Sequence, residues 1–207
     1  MKISVVTLFP KMISSFFKES IVRKAIEKKL VKIEVINLRQ YAIDERGTVD
    51  DRPYGGGAGM ILRVDVVWAA LDKLEIKNPR LKLKQRKILT SPKGKKFNQQ
   101  LAVDYSKLDH LIIVCGHYEG VDERILEFVD EEVSIGDFVL TGGEIPAGVI
   151  VDSVVRLLPG VLRKQEATKV ESFSEVEIEK LIKVVGEDKI LKSLLKKGVK
   201  KVRLLEY

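Results

Sequence analysis

The sequence predicts an α/β fold: a mostly parallel β-sheet with helices on both faces. Short, strongly apolar segments alternate with longer segments whose apolar residues recur at helical spacing, which is typical of successive β–α units. Segments 3–8 and 111–114 contain no charged residue, as expected for strands buried on both faces. Loops that carry glycine or proline follow three of the strands, at the edge where parallel sheets bind their ligands.

The N-terminal part begins with the strand at 3–8 and a helix that Pro10 opens, because a proline at the first helical position loses no hydrogen bond. Alternating apolar residues predict a second strand over 31–38. Residues 39–60 form a long polar loop of the kind that is usually functional or mobile, and a helix is predicted over 64–74. The apolar stripe of the first helix is predicted to comprise Met12, Phe16, Phe17, Ile21 and Ala25.

The middle of the chain continues the alternation. The pattern predicts strands or extended segments at 87–90, 111–114 and 133–140, and helices at 97–108, 121–129 and 147–158. The loops at the carboxyl ends of these strands read SPKG at 91–94, CGHYEG at 115–120 and TGGEIP at 141–146. We expect the three loops to meet at one edge of the sheet.

The composition changes after residue 162, so we predict a main domain over 1–162 and a basic helical appendage over 163–207. Residues 163–203 hold 12 Lys or Arg and 7 Asp or Glu, which is +5 of the net charge of +7. Ser174 with Glu177 fits a capping box, and Gly186 and Gly198 fit helix ends. Two interpretations of this segment stay open: it binds phosphates, or it is a solvated helical face.

The overall charge favours a polyanionic partner such as RNA, although many cytosolic enzymes are as basic. Cys115 is the only cysteine, so no internal disulfide can form, which fits a reducing cytoplasm. We expect it to be a small core residue rather than a nucleophile. Neither a signal peptide nor an apolar stretch of about 20 residues is present, so we expect a soluble, cytoplasmic protein.

The glycine-rich segment DRPYGGGAGM at 51–60 lacks the features of the common nucleotide-binding loops. No Lys-Ser or Lys-Thr follows the glycines, and neither register gives G-x-G-x-x-G. We expect instead a flexible loop that closes over a substrate. His110 and His117 are the only histidines, and with one cysteine they cannot assemble a His/Cys zinc site. We therefore assign no metal ligand.

Several blocks together resemble one family, the bacterial tRNA (guanine-N1)-methyltransferases of the TrmD type. The blocks are TLFP at 7–10, VDDRPYGGGAGM at 49–60, LTSPKGKKFNQ at 89–99, CGHYEGVDERI at 115–125, SIGDFVLTGGEIPAGVIVDSVVRLLPGVL at 134–162 and ESF at 171–173. The resemblance implies a SPOUT-type fold with a C-terminal trefoil knot in a catalytic domain over 1–162. It also implies a homodimer with active sites at its interface, and methylation of the guanosine at tRNA position 37, beside the anticodon.

The resemblance further implies that S-adenosylmethionine binds in a bent form within the knot and leaves as S-adenosylhomocysteine. The three loops would form its walls, with main-chain atoms reading the adenine edge. The implied cofactor-binding residues are Thr90, Ser91, Pro92, Gly94, Gly116, Ser134, Ile135, Gly136, Asp137, Phe138, Val139, Leu140, Thr141, Gly142, Gly143 and Pro146. Magnesium is implied as an assisting ion, although no ligand cluster is visible in the sequence.

Three residues carry the implied chemistry. Glu119 would accept hydrogen bonds from guanine N1–H and N2–H2, and Arg156 would stabilise the negative charge that develops on O6. Guanine N1 needs a base to remove its proton, and the resemblance places Glu171 in that role, with Glu206 as the alternative. The implied substrate contacts are Asp50, Arg52, Tyr118 and Glu119.

The chain departs from the family pattern in several places. Glu171 stands where the family usually has Asp, and His117 where it usually has Arg. About 30 residues intervene before LLEY at 204–207, where the family would continue into a tRNA-binding domain, so we expect either a truncated form, which we favour, or a lost domain. Two other functions stay open: another SPOUT methyltransferase acting on rRNA or a ribose 2′-hydroxyl, and a non-catalytic RNA-binding module.

Overall fold

The structure is a computed structural model, and it describes residues 1–53, 56, 59–75, 83–162, 172–173, 175–186 and 188–204. The chain divides into two compact units, Met1–Val161 and Leu162–Tyr207. The strands are β1 (Lys2–Thr7), β2 (Lys32–Asn37), β3 (Asp50–Asp51), β4 (Ile61–Leu62), β5 (Gln85–Lys96), β6 (His110–Cys115), β7 (Glu131–Ser134), β8 (Glu175–Glu177) and β9 (Lys201–Arg203). The α-helices are α1 (Pro10–Ser14), α2 (Ser20–Glu27), α3 (Val64–Leu74), α4 (Gln99–Tyr105), α5 (Glu144–Val155), α6 (Ile178–Val185) and α7 (Lys189–Lys196).

The first unit is built on a five-stranded sheet in the order β2-β1-β6-β5-β7. All four strand pairings in it are parallel, which confirms the predicted mostly parallel α/β sheet. Val5 of β1 faces Val35 on one side and Ile113 on the other. Every residue of β6 is buried, because this strand lies in the centre of the sheet.

The side chains of the central strands alternate between two apolar clusters, one on each face of the sheet. Ile3 and Val5 belong to one cluster together with buried residues of α1, α2, α4 and α5. Val6 belongs to the other, with buried residues of α3 and of the 3₁₀ turns Leu38–Tyr41 and Glu123–Phe128. Both faces are therefore covered, which explains why most residues of β1 and β6 are apolar.

Helix α3 spans the predicted residues 64–74, whereas the helix predicted to start at Pro10 is interrupted. It ends at Ser14, a 3₁₀ turn covers Phe16–Lys18, and Ser20, the first residue of α2, takes a φ of +53°. The predicted single apolar stripe is wrong for Met12 and Phe16, which are 49% and 46% exposed. Phe17 and Ala25, by contrast, lie in the core.

The elements around the three loops also differ from the pattern. Residues 91–94 lie inside β5, where Thr90 and Lys95 both face Val133 of β7, so they form a bulge rather than a loop after a strand. The extended segment predicted over 133–140 ends at Ser134, and Gly136 follows with a φ of +155°. The segment predicted as a short helix over 121–129 is the 3₁₀ turn Glu123–Phe128, while the helices predicted over 97–108 and 147–158 are α4 and α5 with shifted bounds.

The second unit consists of the antiparallel pair β8–β9 with α6 and α7 between these strands. Gly186 and Gly198 follow the two helices with φ values of +86° and +82°, as predicted for helix ends. The predicted capping box is wrong: Glu177 ends β8 and directly precedes α6 instead of lying within its first turn, and Ser174 lies outside the described residues. Among the helices of the described residues, none is long and apolar enough to cross a membrane.

Candidate active site

A cavity of about 230 Å³ lies at the carboxyl ends of β5, β6 and β7. Its walls come from the β5 bulge, from the loop after β6, and from the segment that joins β7 to α5. Most of the predicted cofactor-binding residues lie there together. The lining residues are Leu89, Thr90, Ser91, Pro92, Gly116, His117, Tyr118, Glu119, Gly120, Val121, Val133, Ser134, Ile135, Gly136, Phe138, Val139, Leu140, Thr141, Gly142, Gly143 and Pro146.

Main-chain contacts at Gly143 hold the three segments together. Its N–H donates to the carbonyl of Gly116 at 2.8 Å, and the N–H of Gly116 donates to Oγ1 of Thr90 at 3.3 Å. A Cβ atom on Gly143 would lie 2.7 Å from Cα of Cys115 and would also clash with the Thr90 hydroxyl. Only glycine allows this approach, so a glycine at position 143 is required for the three segments to lie this close together.

Gly142 is enclosed by two polar side chains. A Cβ atom there would lie 2.5 Å from Oε2 of Glu144 and 3.0 Å from Nε2 of His117. Glu144 is 3% exposed, and its Oε1 accepts a hydrogen bond of 2.6 Å from the hydroxyl of Thr7. Among the described residues, neither Oε2 of Glu144 nor Nδ1 of His117 has a hydrogen-bond partner, although both atoms are buried. Two unpaired buried polar atoms thus flank one wall of the cavity.

The TLFP segment supports this wall from the end of β1. Thr7 bonds Glu144, and the Phe9 ring lies 4.8 Å from the imidazole of His117. No sequence pattern assigned a role to Thr7, Phe9 or Glu144, and His117 was notable in the sequence only as a departure from the family. One signal was available: Thr7 is a polar residue at the carboxyl end of a mostly apolar strand, where parallel sheets place functional groups.

The loop after β6 is tied to the base of the glycine-rich segment. The short antiparallel pair β3–β4 flanks that segment, and the N–H of Glu119 donates to the carbonyl of Met60 at 3.1 Å. Tyr118 has a φ of +64°. Burial raises the pKa of the Tyr118 hydroxyl, and the negative charge of Asp50 raises it further. Glu119 and Tyr118 therefore line the cavity beside the loop predicted to close over a substrate.

Some predicted site residues lie elsewhere. Gly94 and Asp137 are outside the cavity lining: Gly94 packs against the main chain of β7, with Glu132 C 2.5 Å from the position of a Cβ atom, and Asp137 forms an ion pair with Lys96. Asp50 lies in β3, Arg52 is exposed after it, and Arg156 follows the last residue of α5. None of these three lines the cavity. Glu171 and Glu206 lie outside the described residues.

The cavity offers polar contact through main-chain groups, through the hydroxyl and imidazole groups of lining residues such as Thr141 and His117, and through one carboxylate, that of Glu119. Cys115 is fully buried, and burial raises the pKa of its thiol, so it fits the predicted core role rather than that of a nucleophile. The described residues contain no cluster of three or more His, Cys, Asp or Glu that could hold a metal ion.

A second cavity, an apolar groove of about 860 Å³, runs between α1 and α5. Met12, Phe16, Ile145 and Val149 line it and are 42–49% exposed. We call this surface the α1–α5 groove. Exposed apolar side chains that lie together in this way mark interaction surfaces more often than ordinary monomer surface.

Comparison with known proteins places the chain among tRNA-modifying enzymes. The family model for tRNA (Guanine-1)-methyltransferase TrmD matches residues 1–184. The tRNA (guanine-N(1)-)-methyltransferase of Listeria monocytogenes is 49% identical over 175 residues, which are 84% of this chain and 71% of the relative. That of Latilactobacillus sakei is 47% identical over 174 residues, 84% and 70% of the two chains. The crystal structure of tRNA (m1G37) methyltransferase from Aquifex aeolicus matches with a TM-score of 0.71 and 43% identity, covering 79% of this chain and 72% of that one.

Proposed function

The chain belongs to the TrmD family of tRNA (guanine-1)-methyltransferases, and we propose on that basis that it transfers a methyl group from S-adenosylmethionine to N1 of guanine 37 in tRNA. The observation that carries the proposal is the close approach at Gly143, where the three loops meet in one cavity. The names of the relatives favour guanine N1 over rRNA or a ribose hydroxyl, and they favour an enzyme over a non-catalytic RNA-binding module.

The residues of the cavity fit an adenosine-containing cofactor. Gly116, Gly142 and Gly143 leave main-chain atoms uncovered, and such atoms can read the edge of an adenine without side chains. Half-buried and exposed apolar residues of the third segment, such as Ile135 and Leu140, offer contacts for the ring faces. When bound, the cofactor supplies an electrophilic methyl group on a sulfonium.

The chain's own residues bind the guanine and move its proton. Glu119 lines the cavity, and its carboxylate accepts from N1–H and N2–H2 of the base. We assign to Arg156 the stabilisation of negative charge on O6 as N1 loses its proton. Glu171, with Glu206 as the alternative, is the proposed base, and a positioned base contributes roughly 10²–10⁴ in rate.

We further propose that the enzyme is a knotted homodimer that works in the cytoplasm, where its tRNA substrate is handled. The approach of Gly143 to Thr90 and Gly116 supports the knot, because it requires the segment before α5 to pass close against two other strand ends. The apolar α1–α5 groove supports the dimer, since a second copy would remove its exposed side chains from water.

The test is to incubate the protein with methyl-labelled S-adenosylmethionine and unmodified tRNA and to identify the product nucleoside. We expect 1-methylguanosine at position 37 and no transfer to a tRNA with adenine there. Glu119→Gln should lower kcat by roughly 100-fold while the cofactor still binds. Label in a ribose, label at another base, or absence of both transfer and cofactor binding would overturn the proposal.

A further inference from the structure

The stretch from Lys189 to Arg203 carries seven Lys or Arg residues and no Asp or Glu. It comprises α7, the turn after it and β9. It lies beyond residue 184, the last residue that the family model matches. The relatives therefore assign no role to this stretch, and its composition is a property of this chain.

Helix α7 presents its charges and its apolar residues on different sides. Leu191, Leu194 and Leu195 are half-buried, whereas Lys189 and Lys196 are exposed. Lys189 and Lys196 are seven residues apart and so lie on one face of the helix, two turns from each other. The leucines thus anchor the helix within the second unit and leave the lysines directed to solvent.

Backbone contacts fix both ends of this segment. The Asp188 carboxylate caps α7 by accepting from the N–H groups of Ile190 and Leu191 at 2.8 and 3.0 Å. After the helix, the N–H of Val199 donates to the carbonyl of Leu194, and the carbonyl of Lys200 accepts from the N–H of Ile178. The cationic side chains therefore extend from an ordered backbone, which lowers the entropy lost when they bind a partner.

We propose that this surface binds the phosphate backbone of the tRNA substrate, a proposal that rests on the proposed function. We call the surface the lysine face and define it by Lys189, Lys196, Lys197 and Lys200. All four are exposed, and none of them forms an ion pair with a carboxylate in the part of the chain that the structure describes. Lys201, by contrast, lies 3.8 Å from Glu175, and the Arg203 guanidinium lies over the ring of Phe173.

Charge complementarity identifies the partner. Along 188–203, where Asp188 is the one acidic residue, ammonium groups outnumber carboxylates. Such an excess of positive charge attracts a polyanion and repels basic surfaces, and tRNA is the polyanion that the proposed reaction requires. Lysine acts here as a point charge on a flexible stem, so the contact would position the RNA without reading its sequence. The lysine face adds to tRNA affinity and leaves the choice of guanine to the cavity.

The experiment compares two triple variants of the full chain. Lys189→Gln, Lys196→Gln and Lys200→Gln together remove three charges from the lysine face. The matched control, Lys18→Gln, Lys24→Gln and Lys28→Gln, removes three exposed charges from the first unit. Affinity for unmodified tRNA is measured at several salt concentrations. For the lysine-face variant we expect the slope of log K against log salt to fall by about 2–3, and affinity to drop roughly tenfold near 0.1 M salt. The control should change little.

Two further readouts separate this proposal from the proposed function. The lysine-face variant should show a higher KM for tRNA, while its kcat and its cofactor affinity, measured by calorimetry, stay unchanged. The variant with arginine at the same three positions should bind tRNA like the parent. Equal losses in the two triple variants, or an unchanged salt slope, would overturn the lysine face while methyl transfer persists. Absence of methyl transfer in every protein, the parent included, would instead refute the proposed function.

Discussion

The two histidines of the chain stand at opposite ends of strand β6 and differ in how their nitrogens are satisfied. His110 begins the strand and is buried, with Ser4 Oγ 2.9 Å from Nε2 and Gln85 Oε1 3.3 Å from Nδ1. His117 follows the other end of the strand, and its Nδ1 is buried without a partner among the described residues. Oε2 of Glu144, which likewise lacks a partner among the described residues, lies close to Gly142, as does the imidazole of His117.

The contrast separates a region built for stability from one built for binding. A buried polar atom without a partner costs about 1–3 kcal/mol, and native proteins keep few of them. The amino end of the sheet avoids that cost at His110. The carboxyl end retains it at His117 and Glu144, beside the cavity that we assign to the cofactor. At β6, the polar atoms without a partner among the described residues lie at the carboxyl end and the paired histidine lies at the amino end, a difference that does not depend on sequence similarity.

The largest expected effect is the loss of cofactor affinity when one methyl group is added at Gly143, beside the cavity at the carboxyl end of β6. Gly143→Ala would place a Cβ atom 2.7 Å from Cα of Cys115 and from the N atom of Gly116. We expect cofactor affinity to fall by about 100-fold, because main chain cannot yield as a side chain does and overpacking of this kind costs about 3 kcal/mol. Calorimetric titration with S-adenosylmethionine measures the loss.

The matched control is Gly148→Ala in α5, where the nearest atoms to a new Cβ, those of Phe16, are 3.9 Å away. This variant should retain cofactor affinity and gain a little helix stability. If Gly143→Ala bound the cofactor as well as the control does, the close packing of Gly143 against Cys115 and Gly116 would not be required for cofactor binding.

The sequence predicted the strands better than it predicted the long-range contacts that bring the three loops together. Strand β6 and helix α3 follow from local apolar patterns. A strand buried on both faces appears as a run of apolar residues, and a helix buried on one side appears as apolar residues at helical spacing. The pairing of Thr7 with Glu144 joins residues 137 positions apart, and no local pattern contains it. The β5 bulge is a similar case, since its register is set by β7 rather than by SPKG itself.

The break before α2 shows a different limit of the sequence. Pro10 correctly marked a helix start, but nothing local indicated that Ser20 would adopt a φ of +53°, a conformation that serine rarely takes. The periodic stripe therefore continued through Phe16 in the prediction, although that side chain is exposed. Among the site residues, the glycines of the three loops were predictable as a group because close main-chain approach requires them, whereas His117 and Glu144 were not.

The role of His110 at the amino end of β6 can be tested by measuring how the free energy of unfolding depends on pH. Burial, together with the positive charge of Lys2 and opposed by Glu34, lowers the pKa of His110 to about 4. An unfolded histidine titrates near 6.5, so the unfolded state binds more protons between pH 6.5 and 4. Stability is therefore full above pH 6.5 and falls as the pH decreases towards 4, by about 3 kcal/mol in all.

Urea unfolding from pH 4 to 8 measures this dependence, with His110→Gln as the comparison. Subtracting the two curves removes the carboxylates common to both proteins. The difference should vary across this window and level off above pH 6.5. A constant difference would mean that His110 is not held in its neutral form.

A smaller effect is expected from the contact that supports the carboxyl end. Thr7→Val keeps the shape of the side chain but removes the hydroxyl that donates to Oε1 of Glu144. The buried carboxylate then loses its partner, and we expect a loss of about 2 kcal/mol in the free energy of unfolding together with weaker cofactor binding. Denaturant unfolding and calorimetry measure the two quantities. Thr7→Ser retains the hydroxyl and should restore most of both; equal behaviour of the serine and valine variants would contradict this role for the hydrogen bond.

The smallest expected effect is a change in the free energy of unfolding when either histidine is replaced by phenylalanine, and its sign should differ between the two ends of β6. His117→Phe removes the unpaired Nδ1 and keeps a ring against Phe9, so we expect the free energy of unfolding to rise by about 1 kcal/mol while cofactor affinity falls. His110→Phe should instead destabilise the protein, because Ser4 and Gln85 lose their partner. Denaturant titrations of the two variants, run in parallel with the parent protein, measure both changes in the free energy of unfolding. If both substitutions destabilised the fold equally, His117 would be as much a structural residue as His110, and the unpaired nitrogen would not mark the binding end of the sheet.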